Sequence, residues 1–572
     1  MRRALLDAET ALSRIVGGVI ADECEGPTLD FKEDRGSSAD TEKLVAAAAI
    51  CFANSNGGAI VLGVNDKTKG VQAFTGKNIS IDRIKQRVYE LSIPHLVVDV
   101  HIPVLYPSLR IILVPQSPDI HSDTQGRATQ RINKDCVTLD PMQLTRLREE
   151  RRGIDWSSEP SGRYVSEISA DVIALTKSTL LKFNDNRRAL GTLSINDIIS
   201  AMDGFSSGVE LNRAAALMFC ADHERLHPAL VYQYRPTQGG EPTAVQRLGT
   251  PLISAFQRTM ELVAARQSLT PLTLPNGQQI TIEDFPSLAV REALSNGICH
   301  RDYHLSNSVI VEHSPVAFVV SSPGPLVSGV TPDNIITTSS RPRNATLSNI
   351  ARILGLAEEL GRGVDRMYRE MIRSGRQVPR IDTNFDSVRV VLVGGGPDTN
   401  IAKFVAVLPE HEQSDTDTML IIFRLCASRT ISASTIAGWL QKSTEEAEMV
   451  LRRLAGDGVG ILETTRATIG RSRAIFRLRS EALKGLGSAV VYQRRTTDEI
   501  DKKITLHVQE YGRITNRTIQ NMLDVGVFKS RDIIKYLVKR NILIRTSTHE
   551  RGPKVEWGPG PEFPRAKGRK RG

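Results

Sequence analysis

The stretch that most constrains this chain is FPSLAVREALSNGICHRDY, residues 285–303. Pro286 stands where a first helical turn tolerates a missing N–H, so a helix of about four turns opens there. Val290, Leu294 and Ile298 recur every fourth residue and share one face, and Glu292, Asn296 and His300 recur with the same period. The two rows are offset by two positions, a rotation of about 200°, and so lie nearly opposite one another. One face is pinned to a core while the other aligns a carboxylate, an amide and an imidazole. Such a row serves either a surface helix facing water or a site, and spacing alone leaves both open.

With 572 residues, 40% of them hydrophobic, the chain can build about three or four domains. Only 5% are aromatic, which argues against base stacking as the main mode of nucleic-acid binding. The six cysteines (Cys24, Cys51, Cys136, Cys220, Cys299, Cys426) form no Cys-x-x-Cys pair and no zinc-finger spacing. Free thiols in a reducing cytosol are therefore expected. With no apolar run of membrane-spanning length and no secretory signal pattern, neither a membrane partner nor export is expected, and the expected localisation is cytoplasmic. The net charge of +10 is concentrated: residues 491–572 carry 19 Lys and Arg against 9 Asp and Glu, an excess of ten on an otherwise neutral body. A polyanion docked at that end is the functional reading, and a solubilising tail the alternative.

Glu292-x-x-x-Asn296 followed by His300-Arg301-Asp302-Tyr303 resembles the divergent ATPase domain of bacterial Schlafen-type transcriptional regulators, a distant relative of the gyrase and histidine-kinase (GHKL) ATPases. The resemblance implies an ATP-binding α/β sandwich over residues 285–396. In it the Asn296 oxygen would ligate magnesium and Glu292 would orient or activate the attacking water. A hard cation wants oxygen ligands, and a carboxylate one turn away can hold a water. Where the active relatives read adenine with an Asp followed by Gly, this chain has Ser321-Ser322-Pro323-Gly324. Gly361-Arg362-Gly363 precedes a helix and either cradles phosphate with backbone N–H groups or breaks two packed helices. Arg341, Arg343 and Asn344 either contact phosphates or cap the next helix.

Residues 20–152 alternate short strands and helices in the manner of a compact α+β domain. They resemble the Schlafen AlbA domain at Glu25, at Asp30-Phe31-Lys32, at the helix end Ala53-Asn54-Ser55-Asn56-Gly57-Gly58, at Gly63-Val64-Asn65-Asp66 and at the closing strand Arg131 to Asp140. In that family the domain binds nucleic acid, and some members are metal-dependent RNA endonucleases. The resemblance implies that Glu25, Asp30 and Asp66 would hold magnesium or manganese while Lys32 offsets phosphate charge. Asp30 stands where Glu is usual, a reach shorter by one methylene. The alternative is a binding-only domain in which Asp30 is a solvated strand residue and Asp66 a turn former.

Residues 153–165 read as a linker and 166–284 as a mixed α/β connecting region. Two units offset by 83 residues, 415–480 and 491–558, pair Ile436 with Ile519, Leu440 with Leu523, Leu451 with Ile534, Leu454 with Leu537, Val459 with Ile542 and Ile461 with Ile544. Each reads as a winged helix-turn-helix, and 559–572 as a basic tail. Ser443 and Glu446 form a capping box in the first, and Ser530 is the expected cap in the second. The second unit presents Lys529, Arg531, Lys535, Lys539 and Arg540, a cationic face for double-stranded DNA. The first places Glu445, Glu446 and Glu448 on its equivalent helix, leaving Arg466, Arg471 and Arg473 of its wing as phosphate contacts. Helix-turn-helix proteins are commonly dimeric, which leaves a homo-oligomer open. The chain thus reads as an α+β multidomain, DNA-binding and ATP-binding transcriptional regulator. The alternative is a metal-dependent Schlafen-like nuclease acting on RNA or single-stranded DNA, in phage defence.

Overall fold

The computed structural model describes residues 1–34, 38–77, 79–132, 134–221, 229–274, 276–339, 341–357, 363–384, 386–465, 468, 473–491, 497–523, 526–547, 549 and 555–564. Contacts divide it into two units, Met1–Pro397 and Asp398–Gly572. Among the described residues no helix is long and apolar enough to cross a membrane.

The first lobe of the first unit is a sheet covered on both faces. Strands β1 (Leu29–Lys32), β2 (Gly58–Leu62), β3 (Asp99–His101) and β4 (Arg110–Val114) run in the order β1-β2-β4-β3, with β1 parallel to β2 and the other pairs antiparallel. Helix α1 (Arg2–Val16) buries Ala8, Ala11, Leu12 and Ile15 against one face. Helices α2 (Ser38–Ala53) and α3 (Ile81–Glu90) cover the other. Burial on both faces is why β2 and β4 are near-continuous apolar runs rather than alternating ones. The start of β2 requires glycine: a Cβ on Gly58 would stand 2.3 Å from the Thr28 carbonyl oxygen. The closing segment, read as one strand from sequence, is a hairpin of β5 (Thr129–Ile132) and β6 (Asp135–Thr138). Helix α4 (Pro141–Arg152) follows, held by an Asp140/Gln143 capping box and ended by Gly153 in the left-handed region.

Not all the cysteines are free thiols. Cys51 on α2 and Cys136 on β6 form a disulfide with Cα atoms 6.0 Å apart, while Cys24, Cys220, Cys299 and Cys426 are unpaired. The pair is 85 residues apart in sequence and is created by the hairpin packing on α2, which local spacing does not encode.

The central lobe is built on a six-stranded sheet in the order β8-β7-β9-β10-β12-β11: β7 (Leu230–Tyr234), β8 (Ala244–Leu248), β9 (Val309–Ser314), β10 (Ala317–Pro323), β11 (Arg380–Thr383) and β12 (Ser387–Val393). Only β7 with β9 is parallel. Helices α5 (Leu252–Ala264), α6 (Ser287–Cys299), α7 (Ala345–Ile353) and α8 (Gly363–Arg373) join a single apolar core running from Ile168 to Leu392. Segments 166–284 and 285–396 therefore share one sheet and one core.

The expected linker at 153–165 is structured. Trp156–Ser158 forms a 3-10 turn, and Pro160–Tyr164 a strand. Asp155 Oδ2 and Ser157 Oγ accept from the N–H groups of Thr346 and Leu347 at 2.7 and 3.1 Å, so this segment caps α7.

The second unit repeats one topology. Helix α9 (Thr416–Ala427), strand β13 (Ile431–Ser432), α10 (Ala433–Leu440), α11 (Thr444–Ala455), β14 (Leu462–Thr464) and β15 (Ile475–Leu478) give a sheet ordered β13-β15-β14. Helix α12 (Thr497–Tyr511), β16 (Ile514–Thr515), α13 (Asn516–Leu523), α14 (Val527–Lys539), β17 (Leu543–Arg545) and β18 (Glu556–Pro559) give β16-β18-β17, the same order. Four of the paired apolar positions, from Ile436/Ile519 to Leu454/Leu537, are buried in both copies. Ile461 and Ile544 differ: the first is buried, the second 44% exposed.

Candidate nucleotide and nucleic-acid sites

Helix α6 is buried around most of its circumference, which excludes a surface helix. Gly297 makes this possible, since a Cβ there would lie 2.7 Å from Val320 Cγ1 on β10. Beside it opens a cavity of about 130 Å³. Asn296 of α6 and His300, which caps its C-terminal end, line one side, with Val320, Val388 and Val390 of the sheet as its apolar floor. Ser322 also lines it, and its Oγ donates to the Gly297 carbonyl at 2.7 Å. The remaining walls are Gly363 at the start of α8 and a strap between Gly324 and Ser339.

Glu292 is 1% exposed and stands behind this wall. Its Oε1 has no hydrogen-bond partner among the described residues. Its Oε2 lies against Gly363, where a Cβ would be 2.3 Å away. Burial raises its pKa, with Arg291 and Arg366 opposing. A carboxylate at the N-terminal end of α8 is favourably placed with respect to the helix dipole. Burial, helped by Arg343, pulls His300 down to about 4, so its ring is neutral near pH 7. The amide oxygen of Asn296, the orphaned Glu292 oxygen and the Gly363 cradle fit a magnesium-bearing nucleotide in chemical type. Gly361 lies outside the described residues.

Arg343 and Asn344 are structural ties. Arg343 donates to the carbonyls of His300 (3.2 Å) and Pro325 (2.9 Å) and pairs with Glu150 (2.7 Å). Asn344 Nδ2 donates to the carbonyls of Cys299 and Arg301, both at 2.9 Å, closing the C-terminal end of α6. Arg341 remains exposed at the cavity rim.

In the first lobe the structure brings Glu25, Asp30 and Lys32 together. Asp30 is 1% exposed, not a solvated strand residue, and lies 2.7 Å from Lys32 Nζ and 3.4 Å from Arg131. Arg131 also donates to the carbonyls of Gly26 and Leu29 at 2.9 and 3.2 Å. Its clamping role had no signal in the sequence beyond a cation inside a strand. Glu25 Oε1 accepts from the Phe31 N–H at 3.2 Å. Burial, followed by the Asp30 charge, pushes Glu25 up to about 7. Asp66 is exposed in the turn beyond β2, where its carbonyl accepts from the Asp22 N–H at 3.3 Å. Among the described residues no group of three His, Cys, Asp or Glu side chains is arranged to hold a metal ion.

On α14 the side chains of Lys529, Arg531, Lys535 and Lys539 are exposed on one helix with Phe528, which is 81% exposed. Arg540 caps the helix and is tied to Asp501 and to the Tyr536 ring at 5.1 Å. Ser530 is not the cap: Gly526 holds that position, and Ser530 is buried, its Oγ donating to the Val527 carbonyl at 3.0 Å and bonded to Asn516. On α11 the capping box is formed, Glu446 N–H to Ser443 Oγ at 3.2 Å and Ser443 N–H to Glu446 Oε2 at 2.8 Å. Its cations are engaged, Arg452 with Glu448 and Arg453 with Glu412 and Asp415. Arg473 is exposed, whereas Arg466, Arg471 and the tail from residue 565 lie outside the described residues.

The chain joins a Schlafen AlbA-type domain to an ATPase-like domain: residues 25–140 match the family described as "Schlafen, AlbA_2", and residues 307–392 match "Putative ATP-dependent DNA helicase recG C-terminal". The second match begins after α6, so Glu292, Asn296 and His300 fall outside it. A crystal structure of the DIP2311 protein from Corynebacterium diphtheriae is similar in fold, with a TM-score of 0.51, 21% identity, and coverage of 85% of this chain and 99% of that one. No curated protein matches the chain.

Proposed function

We propose that this chain is a regulator of transcription that binds nucleic acid and ATP. The observation that carries the nucleotide half is the cavity between α6 and the sheet, with Asn296 and Gly363 in its wall and an apolar floor. When bound, ATP with magnesium would supply a charged triphosphate whose hydrolysis can drive a change of state. Asn296 would hold the magnesium, the N-terminal end of α8 at Gly363 and the rim residue Arg341 would face the phosphates, and the valines of β10 and β12 would cover the base. Glu292, behind the wall, is the group that would orient a water. The match to the recG C-terminal family supports this reading.

The nucleic-acid half rests on the match to the AlbA_2 family and on the cations of α14. Both copies in the second unit have the helix–strand–helix–helix–hairpin order of a winged helix-turn-helix, whose second helix enters the major groove of double-stranded DNA. Lys529, Arg531, Lys535 and Lys539 of α14 are free to meet phosphates, whereas the cations of α11 are engaged with acids. The first copy is then a packing or dimerising element.

A second reading, a metal-dependent nuclease, is favoured by one observation: Glu25 sits beside Asp30, and burial, followed by the Asp30 charge, pushes its carboxyl up to about 7, a range suited to acid–base work. A single assay separates the two. Labelled duplex DNA, single-stranded DNA and structured RNA are incubated with the chain in manganese or in EDTA. The regulator reading expects intact substrate and salt-sensitive duplex binding. Manganese-dependent cutting that Glu25→Ala abolishes while binding persists would replace it with the nuclease.

A further inference from the structure

The wall of the nucleotide cavity is shared. Pro325, Val327, Val330 and Ile335 of the strap face the cavity. Val327 and Ser328 of the same strap also line two further cavities, of about 430 and 240 Å³, whose walls include α4 and, in the smaller one, Ser55 and Asn56 just past α2. A segment that borders more than one cavity can shift when one of them fills.

A residue of the first lobe grips the strap. Glu150, on α4, accepts the Ser328 N–H through Oε2 at 3.4 Å and pairs through Oε1 with Arg343 at 2.7 Å. Arg343 in turn grips the strap at Pro325 O and α6 at His300 O. Gln116 adds a bond from β4's end to Ser328 Oγ at 3.2 Å, and Arg146 of α4 reaches Asp302 at 3.2 Å. Asp302 is anchored to the strand end that starts the strap, its N–H donating to Pro323 O at 2.8 Å.

The same helix reaches the other site. One turn-end along from Glu150, Arg151 donates to the carbonyls of Ala53 and Ser55 at 3.2 and 3.1 Å, at the C-terminal end of α2. Ser55 Oγ accepts the Arg131 N–H at 2.6 Å, and the Arg131 side chain clamps Asp30. An unbroken series of contacts therefore runs from cavity to strap, to Glu150, along α4, to Ser55, to Arg131 and to the Glu25–Asp30 pair.

We propose that α4 couples the nucleotide cavity to the carboxylate pair of the first lobe, with Glu150 as the positioning residue that sets the strap. This rests on the nucleotide reading above. Filling the cavity displaces the strap, and Glu150 passes that displacement to α4 and on to the end of α2. By reciprocity, a ligand held at the first lobe changes nucleotide affinity by the same factor.

Hydrogen–deuterium exchange of the full chain, with and without a non-hydrolysable ATP analogue and magnesium, tests it. The expected result is slowed exchange in α6, together with a change of about fivefold or more in residues 141–152 and 53–57. In Glu150→Gln the α6 response persists and the distant responses are lost. Protection of α6 in the wild-type chain with no change in residues 141–152, or an undiminished α4 response in Glu150→Gln, overturns the coupling and leaves the nucleotide reading standing. No protection at α6 at the highest analogue concentration tested overturns both.

Discussion

Replacing Glu25 by Gln should make the first lobe more stable at alkaline pH. In the folded chain burial and Asp30 raise this group from 4.5 to about 7. Between those values the folded state holds the proton more tightly than the unfolded one, so stability falls as pH rises through the window, and the full penalty stands above about pH 7. At 1.36 kcal/mol per pH unit the shift corresponds to about 3 kcal/mol. Glu25 is only partly buried, and solvent screening reduces this to about 1 kcal/mol. The amide keeps an acceptor for the Phe31 N–H, so the substitution removes charge without removing that bond. Calorimetric melting of wild type and Glu25→Gln at pH 8 and pH 4.5 is the assay. The variant should melt about 2 °C higher at pH 8, with the gain vanishing at pH 4.5. Taking the difference isolates Glu25 from His300 and His313, both depressed to about 4, which act in the opposite sense over an overlapping range. A variant that melts lower at pH 8, or gains equally at both pH values, would refute the reasoning.

Other outcomes follow from single contacts. Gly297→Ala should destabilise the first unit by about 1 kcal/mol in thermal melts, because the clash with Val320 Cγ1 costs about 1–3 kcal/mol against a helix-propensity gain of about 1. Ser443→Ala removes an N-cap acceptor from α11 and should cost the second unit about 1 kcal/mol, read by the loss of helical circular dichroism on heating. Lys535→Ala should weaken duplex binding and lower the slope of log affinity against log salt by about one, measured by fluorescence anisotropy. Arg540→Ala should change that slope less, since its guanidinium is already engaged by Asp501 and Tyr536.

Local patterns carried much of this architecture. The four-residue period of 285–303 marked α6, although Pro286, expected in its first turn, stands one residue earlier as its N-cap, and the capping box at Ser443 appears as expected because its partners are three residues apart. What sequence hid was long-range. The polar row of α6 is not a solvent face: Glu292 is buried against Gly363, and only the fold brings α8 there. The polar composition of 153–165 suggested a linker, yet Asp155 and Ser157 cap a helix about 190 residues away. The disulfide, the parallel pairing of β7 with β9, and Arg131 beneath Asp30 belong to the same class. At the candidate sites Asn296 and Gly363 line one cavity, whereas Glu25 and Asp30 meet without the exposed Asp66. Side-chain reach from neighbouring turns cannot be read from spacing alone.

The most direct measurement is a calorimetric titration of the full chain with ATP in magnesium, beside Asn296→Ala. Saturable binding at one site is expected in the wild-type chain, with at least a tenfold loss of affinity in the variant, about 1.4 kcal/mol. No heat of binding in the wild-type chain, or an affinity that Asn296→Ala leaves unchanged, would contradict it.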